Sequence, residues 1–128
     1  MSDDSLEIGM GVRREVLGGA HVDRAIAATT AFTRDFQEYI TENVWGDIWS
    51  RPGLDRKTRS MVTIALMAAL GRHEEFQLHI RATANTGVTR EEVSEILLQV
   101  GAYAGVPTAN SAYKLAADVY ATMDKEKT

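Results

Sequence analysis

The chain has 128 residues, 45% of them apolar, and its 14 basic and 18 acidic side chains give a formal charge of −4. That length and composition suit one compact domain with a real core and argue against disorder, while the mildly acidic balance lacks the broad positive field on which nucleic-acid binding draws. There is no cysteine, so disulfides, thiolate metal ligands, iron–sulfur clusters and thiol nucleophiles are all excluded.

The opening Met1-Ser2-Asp3-Asp4-Ser5 is acidic and has no apolar run behind it, so it does not read as a signal peptide. Leu6, Met10 and the stretch Arg13 to Val16 predict a short first helix, stopped by Gly18-Gly19. From Val22, the positions Ile26, Thr29, Phe36 and Ile40, read as one apolar line, recur mostly at three- and four-residue steps and predict one long amphipathic helix to about Val44. A short aromatic segment then meets the turn Arg51-Pro52-Gly53. Asp55 is suited to cap the third helix, Arg56 to Leu70, which is apolar all round after Ser60, as a central buried helix should be. Its longest apolar run, Ile64 to Leu70, is far too short to cross a bilayer.

Gly71 separates this helix from a fourth, His73 to about Asn85, which ends at Gly87, a suitable left-handed cap. Thr89-Arg90-Glu91-Glu92 is a capping box that opens the fifth helix, with Val93, Ile96, Leu97 and Val100 on one face. That helix stops at Gly105-Val106-Pro107, and a sixth runs from about Ala109 to Thr122, with Lys125-Glu126-Lys127 expected to fray. The expected fold is therefore all-α: a single domain over residues 1–128, built as a bundle of about six helices. The expected address is the cytoplasm, with no membrane and no nucleic-acid partner.

Arg72, Glu75 and His79 stand three and then four residues apart, in one stripe of the fourth helix. A carboxylate beside an imidazole favours the charged ring and can orient it, which makes a competent proton donor or acceptor near neutral pH. The same spacing also describes an ordinary solvated pair. A metal site would need a third ligand, and none is visible. His21, just after the glycine turn, fits either an N-terminal helix position or a cleft, and His73 fits an exposed helix end. Trp45 and Trp49 are four apart and read as packing or a subunit contact before a substrate wall. Gln99 and Tyr103, also four apart, suit either a core or a pocket.

Taken together, several ordered blocks resemble the 4-carboxymuconolactone decarboxylase family. They are Val16-Leu17-Gly18 with His21-Val22-Asp23; Trp45-Gly46-Asp47-Ile48-Trp49-Ser50-Arg51-Pro52-Gly53-Leu54 with Arg56, Thr58, Arg59 and Ser60; and Ala68-Ala69-Leu70-Gly71-Arg72 with Glu74, Glu75 and His79. Gly87-Val88-Thr89-Arg90-Glu91-Glu92 and Tyr103-Ala104-Gly105-Val106-Pro107 complete them. The wider superfamily also holds alkylhydroperoxidase-like thiol proteins, whose two cysteines precede a histidine by seven and four residues. Counting back from His79, those positions are Arg72 and Glu75, and an upstream glutamate of the redox proteins falls near Ser60. With no thiol present, peroxide or disulfide chemistry of that kind cannot run.

The resemblance implies an alkylhydroperoxidase-like all-α fold, a homo-oligomer (a hexamer), and a step of protocatechuate breakdown in the β-ketoadipate pathway. The implied reaction converts 4-carboxymuconolactone, a dicarboxylate lactone, to 3-oxoadipate enol-lactone and carbon dioxide. Decarboxylation leaves an electron pair on carbon, and this substrate carries its own sink, a double bond conjugated to the lactone carbonyl. No cofactor and no metal is then needed. Arginine suits the task of holding the dianion: of Arg51, Arg59, Arg72 and Arg81, Arg72 is best placed to grip the non-reacting acetate arm, with Arg59 as a second candidate. His79 is the preferred general acid with Glu75 orienting it, and the roles reverse if burial keeps Glu75 protonated. A donor to the lactone oxygen could be Tyr103, Trp45 or a backbone amide, and His21 is a further candidate for the pocket.

Overall fold

The computed structural model describes residues 3–127; Met1 and Ser2 of the acidic opening stretch lie outside them. Among the described residues all regular structure is helical. By contact the chain divides into two compact units, Met1–Arg56 and Lys57–Thr128.

In the N-terminal unit α1 (Asp3–Leu17) ends at Gly18, whose φ of 91° only glycine adopts without strain, and α2 (Gly19–Ala28) follows directly. The single helix expected from Val22 to Val44 is broken here. Thr29 Oγ1 bonds back to the Ala25 carbonyl at 2.9 Å, and the Thr33 hydroxyl accepts from the Thr30 amide at 2.9 Å. These short hydroxyl side chains offer the backbone a turn in place of another helical bond, and apolar periodicity carries no trace of that. The chain resumes as α3 (Arg34–Tyr39) and passes without a break into a π-helical stretch, Ile40–Gly46.

That stretch has a packing reason. The Asp47 amide reaches the Glu42 carbonyl and the Trp49 amide the Val44 carbonyl, both five residues back. Bonding at this interval stacks residues five apart, so Thr41 and Gly46 both meet Gly9 of α1. A Cβ on Gly9 would stand 1.8 Å from the Thr41 carbonyl oxygen and 2.9 Å from the Gly46 nitrogen, and one on Gly46 would stand 2.4 Å from the Ser5 carbonyl oxygen. The two helices touch backbone to backbone. Just beyond, Trp45 and Trp49 are buried and stack with ring centroids 4.9 Å apart, in agreement with the packing reading of that pair.

The C-terminal unit holds α4 (Arg56–Ala69), α5 (His73–Thr86), α6 (Arg90–Ala104) and α7 (Val106–Glu126). Its core joins Ile64 and Ala68 of α4, Phe76 and Ile80 of α5, Val93, Ile96, Leu97 and Val100 of α6, and Ala112 and Ala116 of α7. Gly87 caps α5 at φ 84°, and Thr89 and Glu92 exchange both bonds of the capping box, as the sequence predicts. The helix α4 differs from expectation: Ser60, Ile64 and Ala68 are buried, while Val62, Leu66 and Leu70 are exposed. One apolar face meets the core of this unit, and the other is left over. The helix α7 also starts earlier and ends later than predicted. Gly105 is its N-cap and Pro107 sits in the first turn, where a missing N–H costs nothing. At the far end Arg90 grips Asp124 at 2.6 and 3.1 Å and Arg81 grips Glu126 at 2.7 Å, which holds the last turn.

Glu92 supplies a pH prediction. Its carboxylate accepts from the Thr89 amide and pairs with Lys57 at 3.0 Å, and these contacts, the backbone bond first, hold its pKa below the ordinary value. A folded pKa below the unfolded one contributes stability above the unfolded value, about 4.3, and loses it as pH falls through the folded one. Glu92→Gln should therefore lower the urea midpoint near neutrality, flatten the acid limb of a plot of midpoint against pH, and meet the wild type at low pH.

Candidate active site

On α5 the predicted stripe runs from solvent into the core. Arg72 is the N-cap residue of the helix and Glu75 lies in its first turn, both exposed. His79, one turn further on, is only 8% exposed. It shares the inner face with Phe76 and Ile80, whose burial fixes which way the helix is turned. The charged groups thus stand at the wet end and the imidazole at the dry end. A dry setting strengthens any electrostatic contact the ring makes with a ligand.

Two further polar residues on this face were not among the predicted site residues. Thr83 and Thr86 are buried four and seven residues beyond His79, and the Thr86 hydroxyl donates to the Ser60 hydroxyl at 3.0 Å. Ser60, fully buried, faces α5 from α4. His79, Thr83, Thr86 and Ser60 make a polar column inside an otherwise apolar unit. The signal was available, since Thr83 and Thr86 continue the stripe at helical intervals.

The remaining candidates are spread over both units. Arg59 is half-buried on α4, beside Ser60. Tyr103, in the last turn of α6, is 86% exposed and is not a core residue. With Gln99 and Thr58 it edges a groove of about 790 Å³ between α4 and α6, floored by Met61, Ala65 and Val100. Arg51 and Arg81 are exposed, and Arg81 is already paired with Glu126. His73 opens α5 and is exposed, as predicted. Trp45 and His21 belong to the N-terminal unit. His21 sits half-buried in the first turn of α2; burial first, and then the charges of Arg24 and Arg13, lower its pKa below that of an ordinary imidazole. It is therefore neutral at pH 7. Among the described residues no three His, Asp or Glu side chains converge as metal ligands would, and no helix is long and apolar enough to cross a membrane.

One feature of the N-terminal unit was invisible to periodicity alone. Arg13, on the inner face of α1, is 6% exposed and donates to Thr41 Oγ1 and to Gln37 Oε1, each at 3.1 Å. Its place between Val12 and Val16 was the clue, since those two residues mark the buried face.

Residues 34–118 match the carboxymuconolactone decarboxylase family. The chain is 48% identical over 112 residues to the 4-carboxymuconolactone decarboxylase of Acinetobacter baylyi, covering 88% of this chain and 84% of that one. It is 45% identical over 100 residues to a nitrosuccinic acid decarboxylase of Metarhizium robertsii, with coverage of 78% and 70%. A 4-carboxymuconolactone decarboxylase of Pseudomonas putida is 51% identical over 41 residues, 32% of this chain and 85% of that one.

Proposed function

The chain belongs to the carboxymuconolactone decarboxylase family, and from that premise we propose that it decarboxylates 4-carboxymuconolactone to 3-oxoadipate enol-lactone and carbon dioxide. The observation that carries this reading is the 48% identity to an enzyme of that name across 88% of the chain. The chain acts in the cytoplasm on a small dicarboxylate lactone, without cofactor, and assembles as a hexamer. The apolar face that α4 turns away from its own core supports self-association, since an exposed patch of Val62, Leu66 and Leu70 beside a groove is costly to leave in water.

In the proposed mechanism the scissile carboxylate leaves as carbon dioxide and its electron pair passes through the ring double bond to the lactone carbonyl. His79 then gives its proton to the ring carbon, or first to the lactone oxygen. Its burial supports that role, because a proton held in a dry site goes to the substrate rather than to water. Glu75 orients the ring. The reversed assignment calls for a buried, protonated Glu75, whereas Glu75 is exposed, which favours His79 as the acid. Arg72, exposed at the mouth of the stripe, grips the acetate arm with its planar fork. The reacting carboxylate is left loosely held, since a firm grip on it would stabilise the ground state and raise the barrier. Arg59, Tyr103, Trp45 and His21 complete the proposed substrate-binding set, with Tyr103 or Trp45 as donor to the lactone oxygen.

The test is direct. Purified protein mixed with fresh 4-carboxymuconolactone in excess chelator should release the enol-lactone, followed by proton NMR, faster than a protein-free control. No acceleration at ample protein would sink the substrate assignment. Activity lost to the chelator and restored by a divalent ion would instead bring a metal into the mechanism. Nitrosuccinic acid, the acid named in the second relative, is the comparison substrate and should turn over more slowly.

A further inference from the structure

The buried Arg13 has no counter-charge among the described residues. A guanidinium carries five N–H donors in a rigid fork. Here two of them reach neutral oxygens, on Thr41 and Gln37, and the buried Nε meets no acceptor among the described residues. No carboxylate of the described chain stands within ion-pair distance of it. An arginine taken out of water in this way is normally matched by an anion.

Arg13 also lines a cleft of about 440 Å³ in the N-terminal unit, a volume typical of small-ligand sites. Leu6, Met10 and Ile26 give it apolar walls, and Thr29 and Thr41 add hydroxyls. Its other charged linings are Arg34 and Glu38. Arg34 forms no ion pair among the described residues, so two cations face one anion and the cleft carries one uncancelled positive charge.

We propose that this cleft binds a small amphipathic monocarboxylate, whose carboxylate takes the free donors of Arg13 and whose hydrocarbon lies along Leu6, Met10 and Ile26. One net positive charge matches one carboxylate. The apolar walls favour an aliphatic tail over inorganic anions, which have none. This site goes beyond the proposed decarboxylation and does not depend on it.

Hexanoate is a suitable ligand for the test, with hexanamide as its neutral counterpart. In NMR titrations of the full-length protein, hexanoate should shift the Arg13 Nε–H signal and the Met10 and Ile26 methyls saturably. Hexanamide should bind at least about tenfold more weakly, as the loss of a charge-assisted pair requires. Arg34→Gln, at an exposed position that leaves the fold intact, should weaken hexanoate a few-fold. Arg13→Lys keeps the charge and loses the fork, and should weaken it by about tenfold. If the wild-type signals stay still up to tens of millimolar hexanoate, or if hexanamide binds equally well, the proposal fails. Shifts that track protein dilution instead of hexanoate would assign the counter-charge to a second copy of the chain and overturn the small-ligand reading.

Discussion

Replacing His79 with alanine is expected to lower turnover of the lactone acid by about 10²–10⁴-fold, the usual effect of removing a positioned proton donor. His79 sits among Phe76, Ile80 and Thr83 on the inner face of α5, so the loss of activity must be separated from a loss of packing. His79→Gln keeps most of the volume and cannot deliver a proton in the same way, so it should be as inactive as the alanine variant while melting closer to the wild type. Glu75→Gln, on the exposed side of the same helix, should reduce turnover less than either and leave stability nearly unchanged. The measurement is kcat for the three variants beside their circular dichroism. Near-normal kcat in both His79 variants would make the column His79–Thr83–Thr86–Ser60 a structural device and remove the proposed acid.

The largest effect on stability is expected from Gly9→Ala. In the interior of a helix this exchange ordinarily stabilises by about 1 kcal/mol, because alanine has the higher helix propensity. At Gly9 the sign reverses, since the new methyl would stand 1.8 Å from the Thr41 carbonyl oxygen and that partner is backbone. Separating α1 from the π-helical stretch should cost about 3 kcal/mol or more. Gly11→Ala is the internal control: two residues along the same helix, it meets nothing within 4 Å and should show the ordinary gain. Both tryptophans of the chain, Trp45 and Trp49, lie in this unit, so urea denaturation monitored by tryptophan fluorescence reads it directly. Equal midpoints for the two variants would mean that the helices part easily and that the close approach is not a constraint.

How much of the molecule was legible in the sequence varies by residue. The helices α5 and α6 were, because their caps are chemical: Gly87 takes a positive φ, and Thr89 and Glu92 satisfy amides that a helix start leaves bare. The break after Ala28 was not, since Thr29 and Thr33 act through their hydroxyls while the apolar pattern runs straight past them. The two faces of α4 look alike in sequence, and only packing distinguishes Ile64 from Leu66. The stripe Arg72, Glu75 and His79 was readable as a stripe, but its descent from solvent to core depends on which face α5 turns inward. Arg13 was the hardest to see. In sequence Arg13-Arg14-Glu15, set between Val12 and Val16, looks like one charged helix surface until Arg13 is found to be buried and Glu15 exposed.

The π-helical stretch at residues 40–46 also bears on how this chain can change in length. Each residue of an α-helix turns the chain by about 100°, and bonding five residues back makes room for one extra residue in the turn. Deleting one residue between Ile40 and Asn43 would let the backbone relax into ordinary helix and leave the downstream chain close to its present phase, at the cost of the stacking that sets Thr41 and Gly46 together on Gly9. A second deletion has no such reserve: everything downstream would swing round the axis by that angle, carrying Gly46 off α1 and the tryptophan pair out of its packing. This segment should therefore tolerate the loss of one residue far better than the loss of two.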